Sequence, residues 1–107
     1  MGYADLRQTT AGIHTRTYAR AFIFEDADIE SPKRNVFVSI DIGMLGFMIK
    51  DSVIEALDAI EGMEGIYTHQ NVALSPTHTH SAPGGYMQNF LFLVTSWGFV
   101  QEPYFQS

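Results

Sequence analysis

The stretch Asn35–Ser75, NVFVSIDIGMLGFMIKDSVIEALDAIEGMEGIYTHQNVALS, decides the fold. It opens with NVFVSIDI, where Val36, Phe37, Val38 and Ile40 are all β-formers in a nearly continuous apolar run. Such a run predicts a strand over 35–42 buried on both faces. Gly43 breaks it. Beyond that glycine, Ile49, Val53, Leu57 and Ile60 recur at intervals of four, four and three, with Ile54 beside them. Lys50, Asp51, Glu55 and Asp58 fall mostly on the opposite side, which predicts an amphipathic helix over 45–61. Gly62 and Gly65 end it. The apolar run NVALS then predicts a second buried strand over 71–75. Strand, helix and strand at these lengths form a βαβ unit.

Working outward, Tyr18–Glu25 (YARAFIFE) reads as a further strand, and Asp26–Arg34, with its Ser31-Pro32 pair, as a polar turn-forming connector. Met1–Thr17 is rich in Gly, Thr and Gln without a period and reads as irregular. Tyr86–Ser96 reads as an apolar helix. The expected fold class is therefore α/β: a mixed sheet with a βαβ unit. No repeat, low-complexity segment or linker divides the chain.

Composition narrows the function classes. The 107 residues are 46% hydrophobic and 17% charged, which excludes a disordered tail or a fibre. A net charge of −6 argues against a non-specific nucleic-acid or anionic-membrane binder, and no nucleic-acid partner is expected. With no cysteine, neither a disulfide scaffold nor a thiolate zinc site can form. The start MGYADLRQ carries no signal-peptide pattern, and the apolar-rich stretch Tyr86–Val100 is too short to span a bilayer.

In open sheets, ligands gather beyond the carboxyl ends of the strands. Two candidates fall there: Asp41, and the loop after Ser75 with Thr77-His78-Thr79-His80. If that loop stays extended, His78 and His80 share a face and both imidazoles turn into one site. Imidazole is the commonest metal ligand, but a catalytic zinc uses three protein ligands and His-x-His supplies two. Two polar histidines decorating a surface loop is the plainer alternative. Thr77, Thr79 and Ser81 are placed to orient the rings by hydrogen bonds, and Pro83-Gly84-Gly85 to turn the backbone tightly. His14, Arg16 and Arg20 form a second cluster, able to orient a carboxylate or merely to charge a strand edge. Trp97, Phe90, Phe92 and Phe99 are either an apolar substrate groove or, more simply, core. No phosphate loop or serine nucleophile elbow is present, and Ser39 and Ser75 lie within or at the ends of strands.

Several stretches together resemble the amino-terminal catalytic region of the neutral ceramidases. They are Met1–Ala4 (MGYA), Gln8–Phe22 (QTTAGIHTRTYARAF), Asn35–Met44 (NVFVSIDIGM), Asn71–Tyr86 (NVALSPTHTHSAPGGY) and Thr95–Phe99 (TSWGF). The fourth is similar to the family signature N-V-x-x-S-x-T-H-T-H-S-x-P-G-G-Y/F. It departs at Pro76, where glycine is usual, and at Ala82, often glycine.

The resemblance implies a zinc-dependent amidase that cleaves the N-acyl bond of ceramide to sphingosine and a fatty acid. It implies that His78 is a zinc ligand and that His80 faces the scissile amide and stabilises the oxyanion. It also implies a calcium site beside the Gly12–Arg16 turn, to which the main-chain carbonyl of His14 contributes. The family's remaining ligands and its G-D-V-S-P-N serine belong to a longer chain, and those motifs do not occur here. Residues 1–107 are accordingly expected to be the amino-terminal portion of a catalytic domain, inactive alone. The alternative is a truncated, non-catalytic paralogue serving as a binding module. A sphingolipid substrate at a membrane surface, and a secreted or membrane-associated location, follow from the resemblance alone. An unrelated His-x-His metallohydrolase would need an Asp shortly after the second His, where Ser81, Ala82 and Pro83 stand.

Overall fold

The computed structural model describes residues 7, 12–27, 30, 33–82 and 84–95. Three strands form one mixed sheet in the order β1-β2-β3: β1 (Ala19–Glu25), β2 (Arg34–Ile40) and β3 (Val72–Pro76). β1 pairs antiparallel with β2, Phe22 facing Phe37, and β2 pairs parallel with β3, Val38 facing Leu74. Helix α1 (Phe47–Asp58) carries the crossover between the parallel strands, and a short helix α2 (Phe90–Thr95) follows the histidine loop. The α/β class and the βαβ unit stand as expected.

The bounds of the elements have local causes. Gly46, extended at φ −90° and ψ 159°, precedes α1, so the helix begins two residues later than its apolar period suggests. At the other end the helix stops at Asp58, short of the expected 61 and ahead of Gly62. Ala59 caps it, Ile60 N–H donates to the Leu57 carbonyl in a tighter turn, and Gly62 takes its left-handed φ of 81° only beyond that. α2 is shorter than the expected 86–96. Asn89 caps it, its Oδ1 accepting from the N–H groups of Leu91 (3.0 Å) and Phe92 (3.3 Å). β3 extends through Pro76, whose missing N–H costs nothing there. The neighbouring Thr77 N–H makes the ladder bond to Ile40, so position 76 would point its own N–H away from β2.

The expectation that β2 is buried on both faces is corrected. One face carries Val36, Val38 and Ile40 with Val72 and Leu74, all buried or half-buried. The other carries Phe22, Phe24 and Phe37 with Ala73, all exposed; Phe22 and Phe37 pack with ring centroids 6.4 Å apart, yet Phe37 remains 40% exposed. A single crossover helix covers one face of a sheet, and no described element layers over the phenylalanines. β1 is exposed along its whole length, and the buried apolar residues among those described are Ile42, Tyr67, Val72, Ala82 and Phe92. Among the described residues no helix is long and apolar enough to cross a membrane.

Candidate metal and active site

At the carboxyl ends of β2 and β3 two loops meet. After Ile40, the chain bends through Asp41, Ile42 and Gly43; after Pro76 it enters the histidine loop. Thr77 N–H donates to the Ile40 carbonyl (2.9 Å) and fastens the start of that loop to the sheet. The approach is close: a Cβ on Gly43 would stand 3.4 Å from the Thr79 carbonyl oxygen.

His78 has φ 62°, the left-handed region, so the loop does not stay extended. The two imidazoles therefore meet by a different route from strand alternation, with ring centroids 5.1 Å apart and planes at 72°. A non-glycine residue held there costs about 1–2 kcal/mol, an outlay seen chiefly where surroundings hold the conformation in place. The surroundings include a hydrogen bond of 2.7 Å between His78 Nδ1 and the Gly43 carbonyl. A carbonyl only accepts, so Nδ1 carries the proton. In the neutral ring Nε2 is then the lone-pair nitrogen, the form a metal ligand requires. His80 Nε2 lies 3.5 Å from that Nε2. Two nitrogens bound to one tetrahedral zinc stand about 3.4 Å apart, so the pair fits a zinc ion as donors.

Of the hydroxyls expected to orient the rings, that of Thr79 acts otherwise. Thr79 Oγ1 accepts from Ser81 N–H (3.1 Å) in a local turn, and the orienting group for His78 is a backbone carbonyl. Gly85 has φ 100°, a conformation that favours glycine, but residues 84 and 85 form no turn, and Pro83 lies outside the described residues. The following residues close over the start of α1. Gly46 N–H donates to the Tyr86 carbonyl (3.0 Å), and a Cβ on Gly46 would lie 2.8 Å from that oxygen and 2.6 Å from Gln88 Oε1. Burial pushes the Tyr86 phenol up to about 12.

Asp41 sits at this end but turns towards β1. Its carboxylate accepts from Tyr18 N–H (3.1 Å) and from Arg20 (3.2 and 3.3 Å), which holds it below its ordinary value, the Arg20 hydrogen bond first and Tyr18 second. Arg20 also lies over the Tyr18 ring at 5.2 Å. Arg20 thus orients a carboxylate of the chain itself. His14 and Arg16 are exposed in the irregular segment before β1, and no described contact joins His14 to the histidine pair. Of the aromatic set, Phe92 is core and Phe90 is 70% exposed; Trp97 and Phe99 lie outside the described residues. Among the described residues, no three His, Cys, Asp or Glu side chains gather as a metal cage. Sequence reasoning missed the Gly43 carbonyl, because a main-chain acceptor has no residue-type signature. It also missed the contacts of Gly46, for which a glycine ahead of an apolar helix was the available signal.

Comparison with known proteins places this arrangement. Residues 1–106 match the family described as neutral/alkaline non-lysosomal ceramidase, N-terminal. The chain belongs to that family. It is 47% identical over 104 residues to the neutral ceramidase of Drosophila melanogaster and 40% identical over 104 residues to that of Pseudomonas aeruginosa, in each case across 97% of the chain. It spans 14% and 15% of the length of those two ceramidases. Among solved structures, one titled as a ceramidase complexed with C2 superposes with a TM-score of 0.76 at 42% identity, covering 90% of this chain and 14% of that one. The neutral ceramidase of Pseudomonas aeruginosa superposes at 0.74, with 87% of this chain and 14% of that one. These ceramidase structures share the fold.

Proposed function

We propose that this chain contributes the His78–His80 wall of a zinc-dependent amidase site that hydrolyses the N-acyl bond of ceramide to sphingosine and a fatty acid. The observation that carries the reading is the His78 Nδ1–H bond to the Gly43 carbonyl, which leaves Nε2 as the donor facing His80. In this role His78 holds the metal through Nε2. His80 contacts the substrate amide and donates a hydrogen bond to the oxygen on which charge develops. Zinc, when bound, supplies polarisation of the carbonyl and a water of lowered pKa. Two histidines are fewer than the three protein ligands of a catalytic zinc, so the isolated chain is inactive in this reading. A sphingolipid substrate presented at a membrane surface, a secreted or membrane-associated location, and a calcium ion on the His14 carbonyl complete the proposal by family likeness.

A chimera tests it, with this chain replacing the matching stretch of the Drosophila melanogaster neutral ceramidase. His78→Ala is expected to lower both zinc content and ceramide hydrolysis. His80→Ala is expected to lower hydrolysis and leave zinc bound. Unchanged zinc content in His78→Ala overturns the ligand assignment. The 3.5 Å separation favours a second reading in which both imidazoles bind one ion. Loss of zinc in His80→Ala as well would establish that one.

A further inference from the structure

We infer that Arg20 and Asp41 are positioning residues for His78: their ion pair locks the 41–43 bend so that the Gly43 carbonyl fixes the His78 tautomer. Ile42 N–H donates to the Ile40 carbonyl at 2.9 Å, a three-residue turn centred on Asp41. The same carbonyl accepts Thr77 N–H, so one oxygen ties the bend and the root of the histidine loop together. Asp41 is held by Arg20 of β1 and by Tyr18, the residue ahead of that strand. Its N–H donates to the Tyr18 carbonyl (2.9 Å), and its carboxylate takes the Tyr18 N–H and both Arg20 contacts. Ile42 next to it is buried, and Gly43 lies against Thr79. The bend is thus anchored on three sides before its carbonyl reaches the imidazole. An exposed ion pair generally adds little to global stability. Its consequence here is positional: without it the Gly43 carbonyl loses its aim and the ring is free to exchange tautomers.

The zinc consequence of this inference rests on the function proposed above, whereas the tautomer is a property of the chain itself. Long-range proton–nitrogen spectra of the zinc-free 107-residue chain read the tautomer directly. The wild type should show a protonated Nδ1 and an unprotonated Nε2 for His78. In Asp41→Ala and Arg20→Met the two nitrogen shifts should move towards each other, with Arg20→Lys restoring part of the separation. In the chimera, the same substitutions should lower zinc affinity about tenfold or more, the usual effect of losing a ligand's outer partner. The control is Glu25→Gln, which removes the other ion pair between the same two strands, made by Arg34 at the far end of the sheet. It should leave the His78 spectrum unchanged. Should Asp41→Ala lose the β2–β3 amide signals, Asp41→Asn and Arg20→Met carry the test. Retention of the wild-type nitrogen pair in Arg20→Met with the sheet intact, or an equal collapse in Glu25→Gln, overturns the inference. If the wild-type chimera holds no zinc while the tautomer of the chain depends on Asp41, the zinc reading falls and the positioning role stands.

Discussion

At the amino ends of β2 and β3, Asn71 Nδ2 donates to the Ile66 carbonyl (2.7 Å), and its Oδ1 accepts from Thr68 N–H (2.7 Å) and the Thr68 hydroxyl (3.3 Å). Nearby, Arg34 pairs with Glu25, its direct partner across the strands, and Lys50 Nζ donates to the His69 carbonyl at 3.0 Å. A groove of about 480 Å³ lined by Arg34, Asn35, Thr68 and Asn71, among others, opens there and contains neither histidine of the loop. At the carboxyl ends the pattern inverts. Arg20 reaches past its strand partner Ser39 to Asp41, His78 takes a left-handed conformation, and two imidazole nitrogens face each other at 3.5 Å. One end spends its polar groups on closing turns; the other uses them, with backbone strain, to present a donor. Under the proposed function, that contrast separates a structural end of the sheet from a working one.

Gly46→Ala should have the largest effect on the working end. The added methyl must displace the Tyr86 carbonyl, a backbone atom, as well as the Gln88 side chain. A loss of about 2 kcal/mol in urea unfolding is expected. A smaller loss than from any change at Asn71 would break the comparison. Asn71→Ala comes next, at about 1–2 kcal/mol, because it strands the Thr68 and Ile66 backbone groups. It should leave the His78 tautomer untouched, since its bonds close a turn at the other end.

Two titrations sharpen the contrast further. Tyr86 has its phenol raised to about 12, so the neutral form is favoured in the folded state. Its contribution is complete below the ordinary value near 10 and is lost as pH rises through about 12; the phenolate absorbance of wild type minus Tyr86→Phe reads that midpoint. Asp41 is shifted the other way, below 3.8. Its contribution is present above the unfolded value and lost as pH falls through the folded one. The Asp41 carboxyl carbon shift should therefore titrate low, and return towards 3.8 in Arg20→Met. Glu25→Gln should do least, with no measurable change in Tm, since both partners of that pair are exposed.

Much of this was legible in the order of residue types. The run Val36–Ile40, the four-residue recurrence from Ile49 to Leu57 and the apolar Val72–Leu74 are local signals for elements whose period is set by backbone geometry. The T-H-T-H loop was legible as a candidate site because it follows a strand in a βαβ unit. Less legible was why the histidines meet. Alternation along an extended chain predicts a shared face, but the φ of 62° at His78 shows a kink, held by a carbonyl 35 residues away. Nor did the Thr79 hydroxyl announce that it would turn to the Ser81 N–H while a carbonyl oriented His78.

The sequence by itself determined the α/β class, the place of the crossover helix and the family, because periodicity and a long motif are properties of neighbours along the chain. Only the tertiary structure decided which nitrogen of His78 bears the proton. It also decided that Arg20 closes on Asp41 and that one face of the sheet leaves its phenylalanines open. Each of these depends on groups distant in sequence brought within a few ångströms, and hydrogen bonds and burial exist only once that distance is set.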